Sequence, residues 1–227
     1  MRMQLSSEEK KGAMGDESPR YGMRIEQAGK TLVSVARITA ESDIRVTVSR
    51  ERDKPARIDT NVPFLTHMVE TLSWRAEIAI DARVKTAYES EHVVCEDLGA
   101  ALGAALYRLC AENLRDGING CGSAVAVLDE ALARAVISIE GRGDLYISNP
   151  YESLEWVDGM STSNLEEFLR ALARAMNATI HIDVLKGKNP HHIWEAAFRA
   201  SGEALKVAFM QNEWRKGRIA GLKGTLD

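Results

Sequence analysis

The chain has 227 residues, 45% of them hydrophobic and 27% charged, with a net charge of −4. That composition describes a globular chain with a core of its own, as one domain or two halves packed as one. The acidic balance and a pI near 5.8 exclude the basic footprint of a nucleic-acid binder, and no apolar run is long enough to span a bilayer or reads as a signal peptide. Cys95, Cys110 and Cys121 make no disulfide framework, so a reduced, cytoplasmic setting is expected.

Residues 1–22 read as a disordered leader, rich in Ser, Glu, Lys and Gly and without periodicity. Structure is expected to begin near Met23. Thr31 to Arg37 and Ser42 to Arg50 alternate β-branched and polar residues, as half-buried strands do. A turn at Asp59-Thr60-Asn61-Val62-Pro63 leads into an amphipathic helix, Phe64 to Arg75. Pro63 suits the first turn, where its missing N–H costs nothing. Glu77 to Lys85 is a strand with Ile78, Ile80, Ala82 and Val84 on one face. The helix from His92 to about Arg115 carries Gly99, Ala100, Gly103 and Ala104, which permit close helix packing, and Gly117 closes it.

Gly122 to Val127 and Ala131 to Glu140 are strands joined by a turn at Asp129-Glu130. Gly141 to Asp144 is a turn, Leu145 to Ile147 a short strand, and Tyr151 to Ser163 a polar loop. Ser163 or Asn164 caps the helix Leu165 to Met176, whose stripe of Leu165, Phe168, Leu169 and Leu172 is core. Thr179 to Leu185 is a strand. His191 to about Gln211 is the last long helix, and residues 213–227 form a basic, Gly-rich tail.

That last helix opens on Asn189-Pro190-His191-His192-Ile193-Trp194-Glu195. His191 and Glu195 lie four apart on one face, while His192 is rotated by about 100°. Imidazole and carboxylate together suit manganese, iron or zinc. Alone, the motif is as readily polar surface. A second copy changes the balance: His92 and Glu96 repeat His191 and Glu195 at a constant offset of 99 residues. Upstream, Ile78-Ala79-Ile80-Asp81 matches Ile180-His181-Ile182-Asp183, and each is preceded by an amphipathic helix. The chain therefore reads as two copies of a helix–strand–helix unit, 23–117 and 118–212. Val93 stands where the second copy has His192.

The stretch from Asn164 through Thr179-Ile-His-Ile to Gly187-Lys-Asn-Pro-His-His-Ile-Trp-Glu-Ala resembles imidazoleglycerol-phosphate dehydratases. So do Arg37-x-Thr39-x-Glu41, Phe64-Leu65-Thr66-His67-Met68, Glu96-Asp97-Leu98-Gly99, Asp129-Glu130-Ala131 and Lys223-Gly224. The resemblance runs from about residue 23 to 227. It implies an α+β fold, with each half a four-stranded sheet carrying two helices, packed as a sheet–helices–sheet sandwich. It also implies trimers assembled into a 24-subunit shell, with manganese at subunit contacts.

The implied reaction dehydrates imidazole glycerol phosphate to imidazole acetol phosphate in histidine biosynthesis. The substrate ring gives up a proton and is held by the metals as imidazolate while a neighbouring hydroxyl leaves. The metal ligands carried over are His67, His92, Glu96, His181, His191, His192 and Glu195, for one or two Mn2+ per subunit. Glu41 and Asp129 match positions used at the substrate hydroxyls or in proton transfer. Arg142, Arg199 and Lys223 match the phosphate clamp, so the tail is expected to complete the substrate site.

The departures from the family's pattern are Thr66 for Asp, Val93 for His, Gly120 for Arg, Arg199 for Lys, and Gly221-Leu222 for Ser-Thr. They keep a second reading open: a diverged paralogue with the same shell-forming fold that binds metal, serves a structural role or takes another phosphorylated substrate.

Overall fold

In the computed structural model, which describes residues 21–51, 56–149, 155–218 and 221, the alternating segments pair into two sheets. β1 (Gly22–Ala28), β2 (Leu32–Ile38), β3 (Ser42–Ser49), β4 (Arg57–Asp59) and β5 (Ala79–Thr86) form the first. Its order is β1-β2-β3-β5-β4. β6 (Cys121–Leu128), β7 (Ala131–Ile139) and β8 (Asp144–Ser148) belong to the second. After the small hairpin of β9 (Trp156–Val157) and β10 (Met160–Ser161), β11 (Ala178–Lys186) completes it in the order β6-β7-β11-β8. In both sheets the last pair, β5 with β4 and β11 with β8, is parallel and the other pairs are antiparallel. The second sheet thus repeats the β2-β3-β5-β4 arrangement of the first.

Four helices fill the space between the sheets: α1 (Pro63–Ala76), α2 (Glu91–Asn113), α3 (Thr162–Ala175) and α4 (Pro190–Ala208). α2 lies on β2 and β3 and packs against α3, while α4 lies on β6 and β7 and packs against α1. The inward faces supply the core: Val33, Val35, Val46 and Ile80 from one sheet, Ala135, Ile137, Ile180 and Ile182 from the other. The α2–α3 crossing is close because glycine permits it. A Cβ on Gly99 would lie 2.3 Å from the Phe168 carbonyl oxygen, and one on Gly103 2.3 Å from that of Leu172.

The architecture is the expected α+β sandwich, with two additions. The first sheet has a fifth strand, because β1 pairs with β2 although every one of its residues is exposed. Without a buried face it has no burial alternation to read. Within the segment expected to be a polar loop, the residues from Trp156 to Ser161 form a hairpin, while 150–154 lie outside the described residues. So do the expected leader up to residue 20 and Lys223. The three cysteines are free, and burial pushes the Cys95 and Cys110 thiols up to about 12. Among the described residues no helix is long and apolar enough to cross a membrane.

Candidate metal centre

Helix α4 begins where the Asn189 side chain accepts the His191 N–H at 2.9 Å and Pro190 occupies the first turn. One turn of helix brings His191 Nε2 to 3.2 Å from Glu195 Oε2, the contact that the i, i+4 spacing requires. The α1–α4 packing adds a third group from 128 residues away: His67 Nε2 lies 3.0 Å from the same Glu195 oxygen. Donor atoms of His67, His191 and Glu195 all fall within 4.8 Å of one another. Two imidazoles and a carboxylate oxygen at that spacing fit a first-row divalent cation. Phe64 walls the site on one side, its ring meeting His191 edge-on with centroids 5.2 Å apart.

Glu195 is 7% exposed. Burial alone would raise its pKa, but the hydrogen bonds from His67 and Arg199 win and hold it below the usual carboxylate value. Its two oxygens are divided. Oε2 faces the histidines, while Oε1 accepts from Arg199 Nε at 3.0 Å and Nη2 at 2.6 Å. Arg199 Nη1 also donates to the Val127 carbonyl at 3.0 Å.

Each of the tandem histidines has a carboxylate at Nδ1. Asp158 Oδ2 is 2.6 Å from His191 Nδ1, and Glu130 Oε2 is 2.7 Å from His192 Nδ1. The other Glu130 oxygen accepts the backbone N–H groups of Asn189 and Lys188. The Asn189 bond, followed by that to His192, holds Glu130 down at about 2. The same His192 contact raises the imidazole's pKa. Asp129, exposed in the turn with φ 47°, is 3.8 Å from His192 Nε2.

The remaining expected ligands lie elsewhere in this chain. His92 and Glu96 form a looser, exposed pair 3.7 Å apart on α2. His181 points away from the helices on the outer face of the second sheet, stacked on Tyr146 with centroids 4.8 Å apart. The sheet itself separates it from α4. Val93 is 9% exposed and offers only apolar surface. Glu41 accepts a hydrogen bond from the Tyr88 hydroxyl, and its backbone is pinned by Thr39 Oγ1 and the Ala87 N–H. Beneath that turn, buried Asp97 accepts from Arg37 Nε and Ser42 Oγ, both at 2.5 Å, joining the Glu41 turn to the helix of His92 and Glu96. Arg142 is exposed, 4.0 Å from Glu140. Gly221, in the tail, lies against that same glutamate.

Two of the sequence departures have local explanations. The Thr66 hydroxyl is taken up by Thr60 Oγ1 at 2.8 Å, within the turn that precedes α1. Gly120 sits at φ 70° with its N–H on Ala208 and its carbonyl on Ile139, a left-handed conformation that an arginine would occupy only under strain.

Asp158, Glu130, Tyr88 and Asp97 are the members that sequence reasoning did not assign a role. The Asp158-Gly159 dipeptide is a hairpin signal, and it was available. Glu130 and Asp97 stand inside two of the motifs that carry the resemblance, while nothing local announces Tyr88.

Comparison with known proteins matches the chain to one family. The family model described as imidazoleglycerol-phosphate dehydratase matches residues 60–205. The chain is 37% identical over 199 residues to the imidazoleglycerol-phosphate dehydratase of Halorhodospira halophila, covering 87% of this chain and 99% of that one. It is 36% identical over 194 residues to that of Pseudomonas aeruginosa, covering 85% and 97%. Among solved structures, the Staphylococcus aureus enzyme superposes with a TM-score of 0.71 at 29% identity, covering 80% of this chain and 99% of that one. The Pyrococcus furiosus enzyme gives 0.69 at 35%, covering 83% and 98%.

Proposed function

The chain belongs to the imidazoleglycerol-phosphate dehydratase family, and we propose that it dehydrates imidazole glycerol phosphate to imidazole acetol phosphate, as a manganese-dependent enzyme of histidine biosynthesis in the cytoplasm. The observation that carries the reading is the His67–His191–Glu195 cluster, with His192 on its own carboxylate beside it.

His67, His191 and Glu195 would hold one cation. His92, Glu96, His181 and His192 are the candidates for a second. A bound divalent cation supplies positive charge against the electron density that builds on the substrate ring as it gives up a proton. Phe64 gives the cluster an apolar wall, and Glu195, being buried, keeps its charge in a setting that water screens weakly. Glu41 and Asp129 are the carboxylates that hold or move protons at the substrate hydroxyls. Tyr88 fixes the first of them, and the second stands 3.8 Å from His192 Nε2. Arg142 and Lys223 meet the phosphate. Arg199 joins them only by releasing Glu195, which it grips here with two nitrogens.

His181 on the outer sheet face and the separate His92–Glu96 pair have no route to the α4 cluster within one chain. Their use as ligands therefore calls for neighbouring copies, which supports a homo-oligomer, trimers assembled into a 24-mer. A chelator should break that particle into smaller units, and light scattering of a monomer with and without manganese would refute the assembly.

The reaction is tested by incubating purified protein with imidazole glycerol phosphate and Mn2+. Product that disappears on chelation and falls sharply in Glu195→Gln is the expected result. Folded, manganese-loaded protein that leaves the substrate untouched would favour the diverged paralogue, the reading that buried Val93 in place of an imidazole supports.

A further inference from the structure

The contact that fixes His191 comes from a segment whose composition reads as loop. β9 and β10 are only two residues each, pairing Val157 with Met160 and Trp156 with Ser161 across Asp158-Gly159. Asp158 has φ 44° and Gly159 φ 83°, the pair of left-handed residues that a two-residue hairpin demands. So short a hairpin needs anchors. Val157 and Met160 provide them, 3% and 1% exposed against α4 and α3. The Thr162 N–H, donating to the Glu155 carbonyl at 2.9 Å, closes the base. With its base anchored, the turn carries Asp158 to 2.6 Å from His191 Nδ1.

A neutral imidazole has one N–H, and a carboxylate can only accept. A short contact at Nδ1 therefore places the proton there and leaves a lone pair on Nε2. That lone pair points into the space shared with His67 Nε2 and Glu195 Oε2. The His191 lone pair and that carboxylate oxygen, 3.2 Å apart, repel one another, and a cation between them relieves the repulsion. Phe64, packed edge-on, removes the ring's remaining freedom to swing. His92 contrasts with this. Its partner is Glu96 at 3.7 Å on its own helix, with no carboxylate from another element among the described residues.

We propose that Asp158 is a positioning residue of the cation site: from the tip of the β9–β10 hairpin it fixes the tautomer and ring plane of His191, so that Nε2 is presented ready to ligate. The proposal rests on the reading of His67, His191 and Glu195 as a divalent-cation site. Carboxylates behind ligating histidines raise ligand basicity and set orientation. This one comes from a separate hairpin, so it can be altered without touching α4. It gives the α4 cluster a preorganisation that the α2 pair lacks, and the two sets should differ in affinity accordingly.

The test compares Mn2+ dissociation constants of the full-length protein and two variants, by competition with a chelator of known affinity, alongside thermal unfolding of each metal-free protein. Asp158→Gly deletes the carboxylate and tolerates φ 44°, so the turn survives. Asp158→Asn also tolerates that backbone and still accepts the Nδ1 proton, but without charge. The proposal predicts a dissociation constant raised about 10- to 100-fold in Asp158→Gly, partial recovery in Asp158→Asn, and metal-free melting unchanged in both. Asp158→Gly binding Mn2+ as tightly as the parent would overturn it. So would a weakening matched by an equal loss of metal-free stability in both variants, which would mark the residue as merely structural. A parent protein that binds no Mn2+ at all would overturn the cation reading itself, before any variant is compared.

Discussion

Replacing Arg199 by alanine should destabilise the metal-free protein and tighten its grip on metal. The Glu195 carboxylate is buried, and two of its four close contacts are charged Arg199 nitrogens at 2.6 and 3.0 Å. Removing one partner of a buried ion pair costs about 3–5 kcal/mol. Arg199 keeps 23% of its side chain exposed, and His67 remains as a donor to the other oxygen, so a loss of about 2–3 kcal/mol is the fitting figure here. A divalent cation at Oε2 would replace part of the missing positive charge. The gap between parent and variant should therefore close by about 1 kcal/mol in saturating Mn2+, which by linkage is roughly fivefold tighter binding. Denaturant titrations with and without Mn2+, and a direct binding isotherm, give two readings of one quantity. Arg199→Lys, with a single donor nitrogen, should fall between. If Arg199→Ala is as stable as the parent, or if metal widens the gap, Arg199 and the cation do not share Glu195 and the division of its oxygens is misread.

The other expectations concern separate parts of the molecule. Val93→His buries an imidazole at a position 9% exposed and should cost the metal-free protein about 1–3 kcal/mol. Added Mn2+ should restore the loss and raise the stoichiometry towards two per chain by elemental analysis, and no recovery would mean that this half of the site has been reshaped. Glu130 has its pKa lowered from 4.5 to about 2. Its contribution is thus fully present above pH about 4.5 and is lost as pH falls through about 2. Glu130→Gln should be less stable than the parent at neutral pH and equal to it near pH 2, and a pH-independent difference in melting would contradict the assignment. Gly103→Ala would place a Cβ 2.3 Å from the Leu172 carbonyl oxygen. Overpacking by about 1–3 kcal/mol outweighs a helix-propensity gain of up to about 1 kcal/mol, so the midpoint in denaturant should drop. Cys95 and Cys110, buried with thiols near 12, should stay unreactive to a thiol reagent at pH 8 until the protein unfolds.

What the sequence made legible was local. Period-two alternation marked β2, β3, β5, β7 and β11, where one face is buried, and 3.6-residue periodicity marked the helices. β1 has no buried face and β4 has three residues, so neither offered a pattern. α3 was expected to start at Leu165 with Ser163 or Asn164 as its cap, but the helix begins at Thr162 with Ser161 as the cap, directly after the β9–β10 hairpin. The same limit applies to the site. Spacing alone foretold the His191–Glu195 and His92–Glu96 contacts, since both lie within one helical turn. The His67–Glu195 contact spans 128 residues and depends on how α1 crosses α4. The carboxylates behind His191 and His192 come from two different hairpins. No local rule connects them to the histidines they serve.

The measurement that bears most directly on the central claim is the anomalous scattering of manganese in crystals of the full-length protein grown with Mn2+. The account predicts a peak within bonding distance of His67 Nε2, His191 Nε2 and Glu195 Oε2, with Asp158 still on His191 Nδ1 and Arg199 still on Glu195 Oε1. A fully loaded crystal in which those three side chains contact one another or water, with the manganese elsewhere, would contradict it.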